Sequence, residues 1–251
     1  MVPVRTPAQF CAEYAQLADA YQDFLLAHDR RRAERWFTAL HSGEPEGQLF
    51  EATVWRLLSS WGVIVVPEPE EQRGPDFRCH VTSGDPFYIE ATARRTGSFA
   101  AEMGIGDTPL PRAGTIKPSH DFHGKLWSKT AQASSRPDLP VLIAYGSLHP
   151  WIFVMDHAIM DEALGVETSV RVGGPEDQEV TRLSVGGGAF TDCPMLAGLL
   201  FLPSEASSPM MRIWAMEYEP VRDVLNLEAK RPFDSGLLPQ VRWLRADAPS
   251  G

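Results

Sequence analysis

The sequence predicts an α/β fold. Apolar residues recur at helical spacing over residues 7–40 and again from Gly47 to Trp61, while short apolar or alternating runs between and after them have the length of strands. A turn-rich stretch, Thr82-Ser83-Gly84-Asp85-Pro86, joins two of those runs into a hairpin. The expected division is an N-terminal helical extension (1–43), a core (44–146) and a C-terminal α+β elaboration of the same domain (147–251).

In the extension, Phe10, Tyr14, Leu17, Tyr21 and Phe24 share one helical stripe, followed by Arg30-Arg31-Arg32 and then Trp36, Phe37 and Leu40. A helix or helical hairpin packed on the main body is expected there, a homodimerisation arm being the alternative. His41-Ser42-Gly43-Glu44-Pro45 breaks the pattern. The next helix carries Leu49, Phe50, Thr53, Val54, Leu57, Leu58 and Trp61 on one broad stripe and ends at Gly62. Glu51 lies at the edge of that stripe, about 20° past Leu58 by the helical period, where its carboxylate can touch the sheet beneath. Val63 to Val66 is a short strand stopped by Pro67.

The hairpin arms are Asp76 to Val81 and Phe87 to Ala93. A side-chain period of two puts Tyr88, Glu90 and Thr92 on one face and Phe87, Ile89 and Ala91 on the other. Asp76 and Glu90 can therefore meet at neighbouring strand ends, where two acids repel unless a cation lies between them. Hard oxygen donors of this kind suit Mg²⁺. Residues 96–119 are rich in Gly and Pro and predict a long loop. A helix follows from Asp121 to about Ser135, then a buried strand from Val141 to Tyr145. On that helix Lys125, Lys129 and Gln132 form one line beside Phe122, Leu126 and Ala133. Lys129 either snorkels to the rim or points over the sheet at the acids.

Further on, residues 151–164 look helical towards their end. Arg171 to Gly174 and Gly186 to Gly188 mark turns, and Leu196–Leu202 and Arg212–Tyr218 look like strands. Gly186-Gly187-Gly188 lacks the helix and Lys-Ser/Thr of a phosphate-cradling loop. His120 and His123 have no third ligand at convincing spacing and are expected to be surface or capping-region residues.

The net charge of −10 excludes a protein that coats nucleic acid indiscriminately. Residues 41–93 hold nine acidic and three basic side chains, whereas residues 94–130 hold six basic and three acidic ones. An anionic substrate near the hairpin fits that contrast. Cys11, Cys79 and Cys193 suggest neither a disulfide framework nor a zinc site. With no bilayer-length apolar run and no secretion-signal pattern, a cytoplasmic protein without membrane contact is expected.

The order helix with Glu51, strand, Gly74-Pro75-Asp76 hairpin, Ile89-Glu90-Ala91-Thr92, helix, strand resembles the PD-(D/E)xK nuclease superfamily over roughly residues 44–146. The resemblance implies a restriction-endonuclease-like αβββαβ core. It implies Mg²⁺, with Mn²⁺ as substitute, held by Asp76, Glu90 and the carbonyl of Ala91, with Glu51 assisting. The motif lysine is replaced by Thr92, and a hydroxyl cannot supply an ammonium's charge. Some members carry the lysine on the following helix; Lys129, with Gln132 beside it, matches that variant. The implied activity is Mg²⁺-dependent hydrolysis of phosphodiesters, in DNA first, with phage defence or repair as the setting. Arg94, Arg95 and Lys125 would grip the nucleic-acid backbone. Two alternatives stand beside it: an inactive nuclease-fold module binding nucleic acid or a protein, and a small-molecule hydrolase using the same acids.

Overall fold

The computed structural model describes residues 14–42, 45–68, 74–93, 114–116, 128–129, 132, 135, 138–146, 166–172, 178–184, 190, 196–202, 214–219 and 233–247. Among the described residues three helices come first: α1 (Ala15–His28), α2 (Arg30–His41) and α3 (Glu46–Ser60). Ten strands are described after them, with helical residues at Ser128, Lys129 and Gln132 between β4 and β5: β1 (Ile64–Pro67), β2 (Phe77–His80), β3 (Phe87–Ala93), β4 (Gly114–Ile116), β5 (Val141–Gly146), β6 (Val166–Val172), β7 (Gln178–Ser184), β8 (Leu196–Leu202), β9 (Trp214–Glu219) and β10 (Arg242–Asp247). The fold is mixed α/β, as expected.

Asp29 separates α1 from α2. Its backbone leaves helical geometry at φ −148°, and its carboxylate accepts the N–H groups of Arg31 and Arg32. An aspartate in this position satisfies donors that the first helical turn leaves unpaired. The extension is thus a helical hairpin from residue 15 onward; residues 7–13 lie outside the described ones. Helix α3 ends where Gly62 adopts φ +77°, a left-handed conformation that costs glycine little.

The main sheet has seven strands in the order β1-β2-β3-β5-β8-β9-β10. Strands β1, β2 and β3 pair antiparallel, while β3–β5 and β5–β8 are parallel. All six residues of β5 are buried, so this central strand is covered on both faces, as its uninterrupted apolar run requires. One face packs on the helices. Leu17, Tyr21 and Leu25 of α1, Ala33, Trp36 and Leu40 of α2 and Leu49, Phe50, Val54 and Leu58 of α3 join Phe77, Cys79, Phe87, Ile89, Leu142 and Ala144 in one core. Burial denies the thiolate the solvent that would stabilise its charge, so the Cys79 pKa is pushed well up.

Several expectations need correction. Gly114–Ile116, placed in a loop, is strand β4, and it forms a second sheet in the order β4-β6-β7. Arg171 and Val172, read as the start of a turn, are the end of β6. Strands β7 and β10 had no counterpart in the sequence reading. The helix expected over 121–135 is described at Ser128, Lys129 and Gln132, which are helical. The segment 151–164, the turn at 186–188, and His120 and His123 fall outside the described residues.

Gly146, at the end of β5, is a position of close approach. A Cβ there would lie 2.3 Å from the carbonyl oxygen of Leu202 and 2.6 Å from the Phe50 ring. Backbone cannot yield as a side-chain tip can, so Gly146→Ala should cost about 1–3 kcal/mol. Urea unfolding of the two proteins measures it, and equal midpoints would disprove the clash.

Candidate active site

The β2–β3 register builds the centre of the site. Phe77 pairs with Ile89, so the next residues along the two strands, Asp76 and Glu90, come side by side on the opposite face. The Ala91 N–H donates to Asp76 Oδ2 at 2.8 Å, which fixes that carboxylate against the neighbouring strand. Glu90 is 0% exposed on a strand whose other face lies in the apolar core. Its Oε1 accepts a hydrogen bond from the Lys129 ammonium. Its Oε2 is buried and has no hydrogen-bond partner among the described residues.

The side chains of Asp76 and Lys129 are 26% and 25% exposed, so the site opens to solvent on their side rather than at Glu90. The electrostatics follow from this placement. Burial, the neighbouring Asp76 charge and, least, Glu51 push the Glu90 pKa up, and Lys129 only partly offsets them. Burial and Glu51 raise Asp76, against the pull of Lys129, Arg32 and the Ala91 N–H. Burial works to lower Lys129, but Glu90 and Asp76 outweigh it and the ammonium is held charged.

The helical hairpin also reaches this centre. Arg32, 8% exposed, sends Nη2 to Glu51 Oε1 at 2.6 Å and Nη1 to the carbonyls of Glu68 at 2.7 Å and Asp76 at 2.9 Å. Asp76 Oδ1 lies 3.7 Å from Nη2. The guanidinium carbon sits 5.7 Å from the centre of the Phe77 ring. The fully buried Tyr21 donates its hydroxyl to Glu51 Oε1 at 2.6 Å. Glu51 therefore faces the sheet, as its phase on α3 predicts, and it meets two donors from the extension there.

Asp76, Glu90, Lys129 and Glu51 are thus brought into one neighbourhood. Gln132 is half-buried on the helical segment of Lys129, where its carbonyl accepts the Ser135 N–H and hydroxyl. Arg94, Arg95 and Lys125 lie outside the described residues. Sequence reasoning missed Arg32 and took Tyr21 only as a core residue. A signal for Arg32 was present: it precedes Trp36 by four residues and Leu40 by eight, so it lies on the buried stripe, whereas Arg30 and Arg31 do not.

The residues fit a divalent cation. A buried, unpaired carboxylate oxygen next to a second acid is costly unless a positive group meets it. No three His, Cys, Asp or Glu side chains among the described residues are gathered as a metal-holding group. The side-chain donors for such an ion would be Asp76 and Glu90, since Glu51 is turned to Arg32 and Tyr21. Among the described residues no helix is long and apolar enough to cross a membrane. The chain matches no family model, no curated protein and no solved structure.

Proposed function

We propose that this chain is a Mg²⁺-dependent nuclease with a restriction-endonuclease-like core, hydrolysing phosphodiester bonds in DNA. The observation that carries this reading is the Asp76–Glu90 pair with the Lys129 ammonium bonded to one oxygen of Glu90 and the other without a hydrogen-bond partner among the described residues. The order α3, β1, β2, β3, a helical segment, β5 supports the core assignment once β4, which lies between β3 and that segment but belongs to the second sheet, is set aside.

Asp76, Glu90 and the carbonyl of Ala91 would hold the ion. When bound, Mg²⁺ supplies Lewis acidity to a phosphoryl oxygen and lowers the pKa of a coordinated water. The Lys129 ammonium, fixed by Glu90, would stabilise the attacking hydroxide or the negative charge developing on the phosphoryl oxygens. It replaces the motif lysine that Thr92 has displaced. The Ala91 N–H holds Asp76 in orientation, and the apolar core beneath Ile89 and Phe77 keeps the acids from relaxing away from each other.

The test is cleavage of single-stranded DNA, duplex DNA and RNA with Mg²⁺, Mn²⁺ or chelator. DNA cleavage should require the metal, vanish in Asp76→Ala, and fall by about 10²–10³-fold in a folded Lys129→Ala. Cleavage by Asp76→Ala at the wild-type rate would overturn the proposal, as would an inert wild type. Thr92 gives the runner-up its footing: an inactive nuclease-fold module would be stabilised by Mg²⁺ against heat and yet cut no substrate.

A further inference from the structure

We infer that Arg32 is a built-in cation occupying the place of a second metal ion, so the site takes one divalent ion and Glu51 anchors the guanidinium rather than ligating metal. This rests on the metal-dependent reading above and specifies its cation count.

Glu51 Oε1 already accepts two short hydrogen bonds, from Arg32 and from the Tyr21 hydroxyl, at 2.6 Å each. A cation binding at that oxygen would have to displace a guanidinium that also holds the Glu68 and Asp76 carbonyls. Those two carbonyls lie one residue after β1 and one residue before β2, and the Glu68 N–H itself donates to the Asp76 carbonyl at 3.0 Å. Arg32 therefore fixes the backbone of Asp76 and, at 3.7 Å, faces its carboxylate. It is a positioning residue for the metal ligand. Its flat fork suits several fixed acceptors at once, as an ammonium would not.

Charge counting gives the same result. Glu51, Asp76 and Glu90 face the fixed charges of Arg32 and Lys129, leaving one negative charge. One divalent ion and one phosphodiester then bring the group to neutrality. In metal alone a second divalent ion would leave the group three positive charges in excess with Arg32 in place and two in excess without it, so the guanidinium disfavours that ion.

The experiment uses the full chain and Mn²⁺ alone, read by electron paramagnetic resonance and equilibrium dialysis, with folding checked by circular dichroism. Wild type should bind one equivalent with the spectrum of an isolated ion. Arg32→Met releases Glu51, and should bind two equivalents showing the coupling of ions roughly 4 Å apart. Adding Glu51→Gln to that variant should return the count to one. A wild type with two coupled ions overturns the inference, and so does a folded Arg32→Met that still binds one. Should Arg32→Met fail to fold, Glu51→Gln alone decides: one retained equivalent upholds the anchor role, and none overturns it. A wild type that binds no Mn²⁺ removes the metal-dependent reading itself and this inference with it, an outcome distinct from the other failures.

Discussion

On the proposed function, Glu90→Gln is expected to leave a folded chain whose Mg²⁺-dependent DNA cleavage has fallen by at least about 10³-fold, since the exchange removes a proposed metal ligand and the partner that aims Lys129. The amide keeps the shape of the acid, so the fully buried site gains no cavity. Its effect on the metal-free fold has the opposite sign. The Glu90 pKa is raised in the native chain by burial and by Asp76. The native state therefore holds its proton above the ordinary Glu value of about 4.3, and stability falls as pH rises from there through the raised native value. The glutamine carries no such proton. Without metal, wild type should lose stability between mildly acidic and mildly alkaline pH, and Glu90→Gln should lose less. With saturating Mg²⁺ the order should reverse at alkaline pH, because only wild type binds the ion. Thermal unfolding across pH, with and without Mg²⁺, reads both effects; parallel curves for the two proteins would refute them.

Arg32→Ala is expected to destabilise the metal-free chain by about 3 kcal/mol, the low end of the cost of stranding a buried charge, because the two carboxylates it leaves without their cation are only partly buried. Burial works to lower the Arg32 pKa, but Glu51 and Asp76 outweigh it, so the guanidinium is charged at every accessible pH. Its removal strands Glu51 beside Asp76 and breaks the tie between the ends of β1 and β2. The control is Arg30→Ala on the same helix. Arg30 pairs with Glu34 at 2.8 Å, but its side chain is 82% exposed, and its loss should cost less than about 1 kcal/mol. Denaturant unfolding gives both values. Equal losses would mean that the Arg32 contacts contribute nothing to the fold.

The legible parts of the site are those set by local pairing. The turn residues at 82–86 fix the hairpin, the hairpin fixes the register, and the register brings Asp76 to Glu90 with no help from distant segments. Glu51 was legible through the phase of one helix. Arg32 and Tyr21 join the centre only because α1 and α2 fold back on α3 and β2, a long-range packing that no local pattern specifies. In composition Arg32 looks like its two neighbours; only its phase against Trp36 and Leu40 marks it. Among the strands, β6 alternates Val166, Thr168, Val170 and Val172 at period two, yet the glycines after it drew attention to a turn instead. Strand β10 is parallel to β9 and is placed by a non-local partner, which explains its absence from the sequence reading.

Cys79 gives the hairpin a chemical clock. Its sulfur lies at the middle of the strand sequence that starts beside Asp76, sealed beneath the helices and disinclined to ionise. An alkylating reagent can reach it only when that layer parts, so the rate of mass tagging at this one position times the opening of the segment that holds the acids.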